Sequence, residues 1–166
     1  SRGHLLAAPD TGTLEQAASQ AGGRRIAVLL PADHVLLTDA QLPAKSSAKL
    51  AQVVPYALEE QVADDIDTLH FAVGQRAHGS TRTAVAVVDR AVMQTVTDAL
   101  AAAGLTPAAL YSEASMVAGN PGQVVAWLDG DSLVLAAPAR PPIVTPVGSL
   151  EETFGFLAAS AAYGEG

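Results

Sequence analysis

Six segments between residues 34 and 113 alternate between strand-like and helix-like patterns, and their order limits the possible folds more than any other feature of the sequence. In chain order they are the strand-like HVLLTDAQLP, the helical AKSSAKLAQVVPYALEEQVADD, the strand-like LHFAV and TAVAVV, the helical RAVMQTVTDALAAAG and the strand-like PAALYSE. The short runs have strand length, whereas the long runs repeat apolar residues every three or four positions. The order β-α-β-β-α-β predicts an α/β subdomain of the ferredoxin-like type.

The first helical segment has one strongly apolar face. Four apolar residues recur at every fourth position, which places them on one side of a helix. They are Leu50, Val54, Leu58 and Val62. Pro55 has no backbone N–H, and its ring clashes with the carbonyl group of Ala51. We therefore predict either a kink at Pro55 or a second helix that begins there.

The second helical segment has signals at both ends. Asp89 can accept a hydrogen bond from the first turn as an N-cap, and Gly104 is typical of a helix stop. Between them, the spacing predicts a buried stripe of Val92, Val96 and Leu100.

The flanking segments carry local signals of their own. On the amino-terminal side, HLLAAP and RRIAVLLP read as strands around a short helix, with Thr13 and Gln16 at capping-box spacing, and this β-α-β order suggests parallel strands. On the other side, a turn cluster at 119–122 precedes two apolar runs joined by Asp129-Gly130-Asp131, a hairpin signal. PPIVTPVG predicts another strand, and SLEETFGFLAAS predicts a helix.

The composition excludes several classes of function. Hydrophobic residues make up 49% of the chain and charged residues 16%, which is typical of a folded protein. The net charge of −8 argues against nucleic acid and anionic lipid as partners, but it suits a basic protein partner. With no cysteine there is no disulfide or thiolate metal site, and no apolar run approaches the roughly 20 residues that span a bilayer.

No motif predicts catalysis, a metal or a cofactor. Asp-Thr-Gly at 10–12 matches the aspartic-protease signature and part of an actin-like phosphate loop. However, a protease needs two such aspartates, and this motif runs into a helical pattern, so the start of a helix is the favoured interpretation. Asp129 and Asp131 are explained by hairpin chemistry. The four histidines show no metal-ligand spacing, and no nucleophile elbow or Walker loop occurs.

Five carboxylates crowd the end of the first helical segment. They are Glu59, Glu60, Asp64, Asp65 and Asp67. If the helix continues to Asp65, Glu60 and Asp64 repel each other and Asp64 and Asp65 lie at the negative end of the dipole, at a total cost of roughly 1–2.5 kcal/mol. A local cost of this kind is typical of a site that is used for something other than stability. Charge pattern alone favours a solvated surface, with Arg76 or Arg82 as neutralising cations.

The same stretch resembles a known family. LLPADHVLLTDAQLP and KLAQVVPYALEEQVADDIDTLHFAVG resemble the cytoplasmic domain of the type II secretion system L component, GspL, through Leu42-Pro43, residues 55–61 and residues 65–71. The segment AVAVVDRAVMQTVTDALAAAGLTPAALYSEA is similar to the next part of that family and to the type IV pilus protein PilM.

The resemblance implies a fold and a location. It implies an α/β fold of actin-like ATPase (ribonuclease H-like) lobes with the inserted ferredoxin-like subdomain. Residues 1–33 would belong to the first lobe, 34–113 to the insert and 114–166 to the second lobe. It also implies a soluble fragment of a single-pass protein at the cytoplasmic face of the bacterial inner membrane.

The function implied by the resemblance is that of a non-catalytic scaffold. GspL-type proteins bind the N-terminal domain of the secretion ATPase GspE and pair with GspM, and the expected partners extend to GspF and a homodimer. We place the ATPase contact on Leu58, Glu59, Glu60, Asp64, Asp65 and Asp67. The alternative is a PilM-type actin-like protein that binds a nucleotide.

Overall fold

The computed structural model describes residues 8–42, 47–74, 76, 81–117, 119, 122–138, 140–149, 151 and 155. Three α-helices have both of their ends within these residues: α1 (Leu14–Gln20), α2 (Ser47–Leu58) and α3 (Arg90–Ala102). The strands are β1 (Ala27–Leu30), β2 (Leu36–Gln41), β3 (Leu69–Val73), β4 (Arg82–Asp89), β5 (Ala109–Ser112), β6 (Val125–Asp129), β7 (Ser132–Ala136) and β8 (Ile143–Pro146). Short 3-10 turns occupy Ala32–His34, Glu59–Gln61, Ile66–Thr68, Glu113–Met116 and Val147–Ser149.

The central sheet is antiparallel and has the strand order β2-β4-β3. Side chains on a strand alternate between the two faces. On one face, Val85 and Val87 of β4 pack against Val54 and Leu58 of α2. On the other, Val88 packs against the side of α3 that carries its apolar stripe. The sheet is therefore covered by one helix on each face.

This arrangement corrects the ferredoxin-like expectation in two respects, although the predicted order of elements is confirmed. The two helices cover opposite faces of the sheet rather than the same face. The last strand, β5, does not join the sheet beside β2; it pairs in parallel with β1, from Ala27 opposite Ala109 to Leu30 opposite Ser112. The pairing crosses the boundary predicted at residue 33. Leu30 and Leu110 pack in the same cluster as Val88 and the apolar stripe of α3, so the β1–β5 pair contributes to the core on the α3 side of the central sheet.

A second antiparallel sheet follows in the order β6-β7-β8. The predicted hairpin is confirmed, because β6 and β7 are joined at Gly130 and Asp131, with Gly130 at a φ of +54°. Val134 of β7 is buried against Ala32 and Ala114, so this sheet packs on the turns that follow β1 and β5.

Helix α2 passes through its proline. Pro55 lies inside α2, which continues to Leu58, and no second helix begins at Pro55. The missing N–H leaves the carbonyl group of Ala51 without its intrahelical donor. Because Ala51 is exposed to solvent, water can take the place of that donor. The buried face of the helix, with Val54 and Leu58 fully inaccessible, then holds the segment in place.

Several local signals are confirmed. The capping box forms at α1, where Gln16 N donates to Thr13 Oγ1 at 3.3 Å and Thr13 N donates to Gln16 Oε1 at 2.9 Å. Gly104 ends α3 with a φ of +73°. The predicted strand HLLAAP and the predicted helix SLEETFGFLAAS lie largely outside the described residues. Among the described residues, no helix is long and apolar enough to cross a membrane.

Asp89 caps α3 as predicted, since its carboxylate accepts a hydrogen bond from Ala91 N at 2.6 Å. We expect Asp89→Ala to lower the free energy of unfolding by about 1 kcal/mol, because the first turn loses its acceptor. Asp89→Asn keeps an acceptor and should lose much less. Urea unfolding followed by circular dichroism measures both changes, and equal losses would show that the cap is not the cause.

Candidate docking surface

The carboxylates proposed as the partner contact do not lie on a helix. α2 ends at Leu58, and the chain continues through a 3-10 turn at Glu59–Gln61, an extended Val62 and a second 3-10 turn at Ile66–Thr68 before β3. We call residues 59–67 the acidic turn segment. The expected helical repulsion between Glu60 and Asp64 and the expected dipole cost at Asp64 and Asp65 are therefore wrong, since both required helical backbone.

Asp65 has a local structural role. Its carboxylate accepts a hydrogen bond from Asp67 N at 2.9 Å and caps the turn at Ile66–Thr68. Its carbonyl oxygen accepts hydrogen bonds from the hydroxyl and the backbone N–H of Thr68, at 2.7 and 2.8 Å. The acidic residue at this position is thus explained by turn geometry, and it holds Asp67 in a fixed place.

Leu58 cannot touch a partner, which corrects its place among the predicted contact residues. Its side chain is fully buried in the core between α2 and the central sheet. Val62 packs on the same core, and its N–H donates to the carbonyl oxygen of Leu58 at 3.2 Å. Leu58 and Val62 thus pack on the core on either side of the Glu59–Gln61 turn. Their packing fixes the backbone of the turn, while its carboxylates are exposed to solvent.

The five carboxylates of the acidic turn segment are all exposed. The arginines expected to neutralise them have other partners. Arg76 donates to Thr83 Oγ1 at 3.0 Å and to the carbonyl oxygen of Leu42 at 2.6 Å. Arg82 donates to Asp39 Oδ1 at 2.6 Å, and this hydrogen bond raises the pKa of Arg82. The ion pair between Arg82 and Asp39 lies outside the segment, and every charged side chain of the segment itself is acidic.

Sequence reasoning missed one residue beside this segment. Tyr56 is 72% exposed on α2, three residues before the acidic turn segment begins at Glu59. A signal was present, because Tyr56 lies midway between Val54 and Leu58 of the buried stripe. Two residues along a helix turn the side chain by about 200°, to the opposite face.

A cleft of about 990 Å³ lies between β2 and β8. Its walls include Leu36, Leu37, Ile143 and Val144, and its charged side chains are Asp33, Asp39, Arg82, Asp131 and Arg140. In the described part of the chain, no group of three or more His, Asp or Glu side chains is placed to hold a metal ion. The charged side chains that line the cleft thus have both signs.

Residues 4–135 match the family model described as type II secretion system (T2SS), protein L. The chain belongs to this family. The matched region includes both sheet-covering helices and the whole acidic turn segment. Nothing in the matches favours the alternative interpretation as a type IV pilus protein.

Curated members of the protein L family agree with this assignment. The chain is 49% identical over 63 residues to type II secretion system protein L of Dickeya chrysanthemi, a stretch of 38% of this chain and 15% of the relative. It is 34% identical over 91 residues to protein L of Vibrio cholerae, covering 55% of this chain and 22% of the relative. It is 33% identical over 100 residues to protein L of Pseudomonas aeruginosa, covering 60% of this chain and 26% of the relative.

The fold agrees with a solved member of the family. The cytoplasmic domain of EpsL, an inner membrane component of the type II secretion system of Vibrio cholerae, superposes with a TM-score of 0.67 at 26% identity. The match covers 82% of this chain and 57% of that domain. The matched region thus spans about a quarter or less of the curated relatives and about half of the solved cytoplasmic domain.

Proposed function

We propose that this chain is a non-catalytic scaffold at the cytoplasmic face of the inner membrane that recruits the secretion ATPase by binding its N-terminal domain. The observation that carries the proposal is the structural match to the cytoplasmic domain of EpsL, together with membership of the protein L family.

The finer features of the fold and location belong to the same proposal. We infer that residues 1–33 and 114–166 contribute to actin-like lobes around the unit at 34–113. The β1–β5 pair then ties the end of this unit to the first lobe. We further infer that the chain is the soluble part of a single-pass membrane protein and pairs with GspM, with GspF and a second copy as further partners.

The acidic turn segment is our candidate for the ATPase contact. Its carboxylates are exposed, and the described ion pairs do not neutralise them. Its backbone is held by the buried Leu58 and by the Asp65 cap, so the charges stand in a fixed arrangement before a partner arrives. A preorganised anionic surface of this kind favours fast, selective association with a basic one.

Neutralising this surface should weaken the complex. The variant Glu59→Gln, Glu60→Gln, Asp64→Asn and Asp65→Asn keeps the size of each side chain, and asparagine at position 65 can still cap the turn. We expect the Kd for the ATPase N-terminal domain to rise about tenfold, since each exposed ion pair contributes roughly 0.2–1 kcal/mol. Its dependence on salt should also flatten. Titration calorimetry at two salt concentrations measures both effects.

A matched control removes the same charge elsewhere. Asp10, Glu15, Asp98 and Asp129 are exposed carboxylates outside the segment. Neutralising these four lowers the net negative charge by the same amount, and the affinity should change by less than about threefold, as expected for long-range screening alone. Equal losses in the two variants would show that overall charge, and not this surface, governs binding.

A further inference from the structure

Helix α2 presents an aromatic ring to solvent on the face opposite its core. Tyr56 is 72% exposed, more than any other large apolar side chain in the described ranges, where the next highest is Leu128 at 59%. Val54 and Leu58, two positions to either side, are fully buried. The helix is therefore fixed by its inner face, and the phenol ring stands out from a rigid support.

Among the described side chains of α2 and of the turn that follows it, the charges nearest this ring in the sequence are negative. Glu59 and Glu60 follow Tyr56 by three and four residues and begin the 3-10 turn that continues directly from α2, a geometry in which residues three apart lie on one side, and both are exposed. The uncharged Gln52 precedes the ring by four residues and is exposed as well. No ion pair in the described part of the chain reaches either glutamate. The face thus combines an aromatic surface with two carboxylates at one end.

We propose that Tyr56 is the central anchor of the docking surface and that it stacks against an arginine of the partner. A guanidinium group is planar and weakly hydrated, so it can lie on an aromatic ring while its N–H groups donate to carboxylates. Glu59 and Glu60 are the acceptors for this arginine. The inference rests on the proposed function, because the partner is the same ATPase domain, and it adds the chemistry that the partner supplies.

The test separates stacking from simple apolar burial. Tyr56→Phe keeps the ring, whereas Tyr56→Leu keeps a large apolar side chain and loses the π face. Tyr56→Phe should bind within about threefold of the wild type, and Tyr56→Leu and Tyr56→Ala should each raise the Kd about tenfold or more, as anchors in protein interfaces do. Calorimetry with the ATPase N-terminal domain measures the three values.

Tyr111→Ala is the matched control, since Tyr111 is also an exposed tyrosine, at 50%, but lies on β5. It should bind like the wild type. If the wild-type chain fails to bind the ATPase domain, the proposed function is wrong. If the wild type binds and Tyr56→Leu or Tyr56→Ala binds equally well, stacking at Tyr56 is wrong while the proposed function stands. Urea midpoints near that of the wild type confirm that each variant is folded.

Discussion

Leu58→Ala is expected to lower the free energy of unfolding by about 2–5 kcal/mol. The side chain is fully buried and packs in a cluster with Val54, Val85 and Val87, so truncation leaves a cavity between α2 and the central sheet. The acidic turn segment begins at the next residue. The loss of this anchor should therefore also free the Glu59–Gln61 turn before the rest of the core unfolds.

Urea unfolding gives the size of the loss, and amide hydrogen exchange at residues 59–62 reports on the turn. Leu128→Ala is the control for leucine truncation, because that side chain is 59% exposed on β6 and should change stability by less than about 1 kcal/mol. A loss below that level in Leu58→Ala would contradict the assignment of Leu58 to the core.

Gly119→Ala is expected to cost about 1–3 kcal/mol, the range for overpacking a closely packed site. A Cβ at Gly119 would stand 2.6 Å from the carbonyl carbon of Ala137 and 2.8 Å from the nitrogen of Pro138. Both are backbone atoms, so no side chain can rotate away, and the chain after β7 has to shift. The position thus requires glycine for space.

Gly148→Ala is the matched control, because a Cβ at Gly148 meets no atom within 4 Å. It should change the unfolding free energy by less than about 0.5 kcal/mol. Thermal unfolding of the two variants beside the wild type makes the comparison. An unchanged melting temperature in Gly119→Ala would show that the segments near 119 and 137 separate easily.

The features that sequence reasoning predicted well are those with partners close in the chain. The caps at Thr13 and Asp89 and the turn at Gly130 each depend on a backbone group within three residues. Hydrophobic spacing also placed α3 and the alternation of β3 correctly, with Leu69 buried and His70 exposed. Such signals are local, so one sequence contains all the information that they need.

The misplaced end of α2 shows where that information fails. Val62 continues the four-residue apolar spacing, and the spacing predicted helix up to Asp65. In the structure Val62 packs on the same core from extended backbone, with φ −105° and ψ 145°. An apolar residue can be buried at this spacing whether its backbone is helical or extended. The same error affected the interpretation of the acidic turn segment, because the repulsion and helix-dipole costs expected for its carboxylates assumed a helical backbone.

The partner of β5 could not be predicted for a different reason. Its short apolar run suits either β2 or β1, and the choice depends on which edge and which face the remaining elements leave open. The crowding at Gly119 is of the same kind, since the sequence shows a turn signal there but not the backbone of residues 136–138 beside it. Both features arise from contacts between distant parts of the chain.

The parallel pairing of β1 with β5 determines how this unit responds to mechanical tension. Ala27 lies opposite Ala109 and Leu30 opposite Ser112, so a pull toward the amino terminus from Ala27 and toward the carboxyl terminus from Ser112 acts at opposite ends of the pair. The strands are then loaded in shear, and their evenly spaced hydrogen bonds share the force instead of opening one after another. The elements between residues 31 and 108 lie outside that force path, so tension applied at these two points loads the β1–β5 pair before it loads the central sheet.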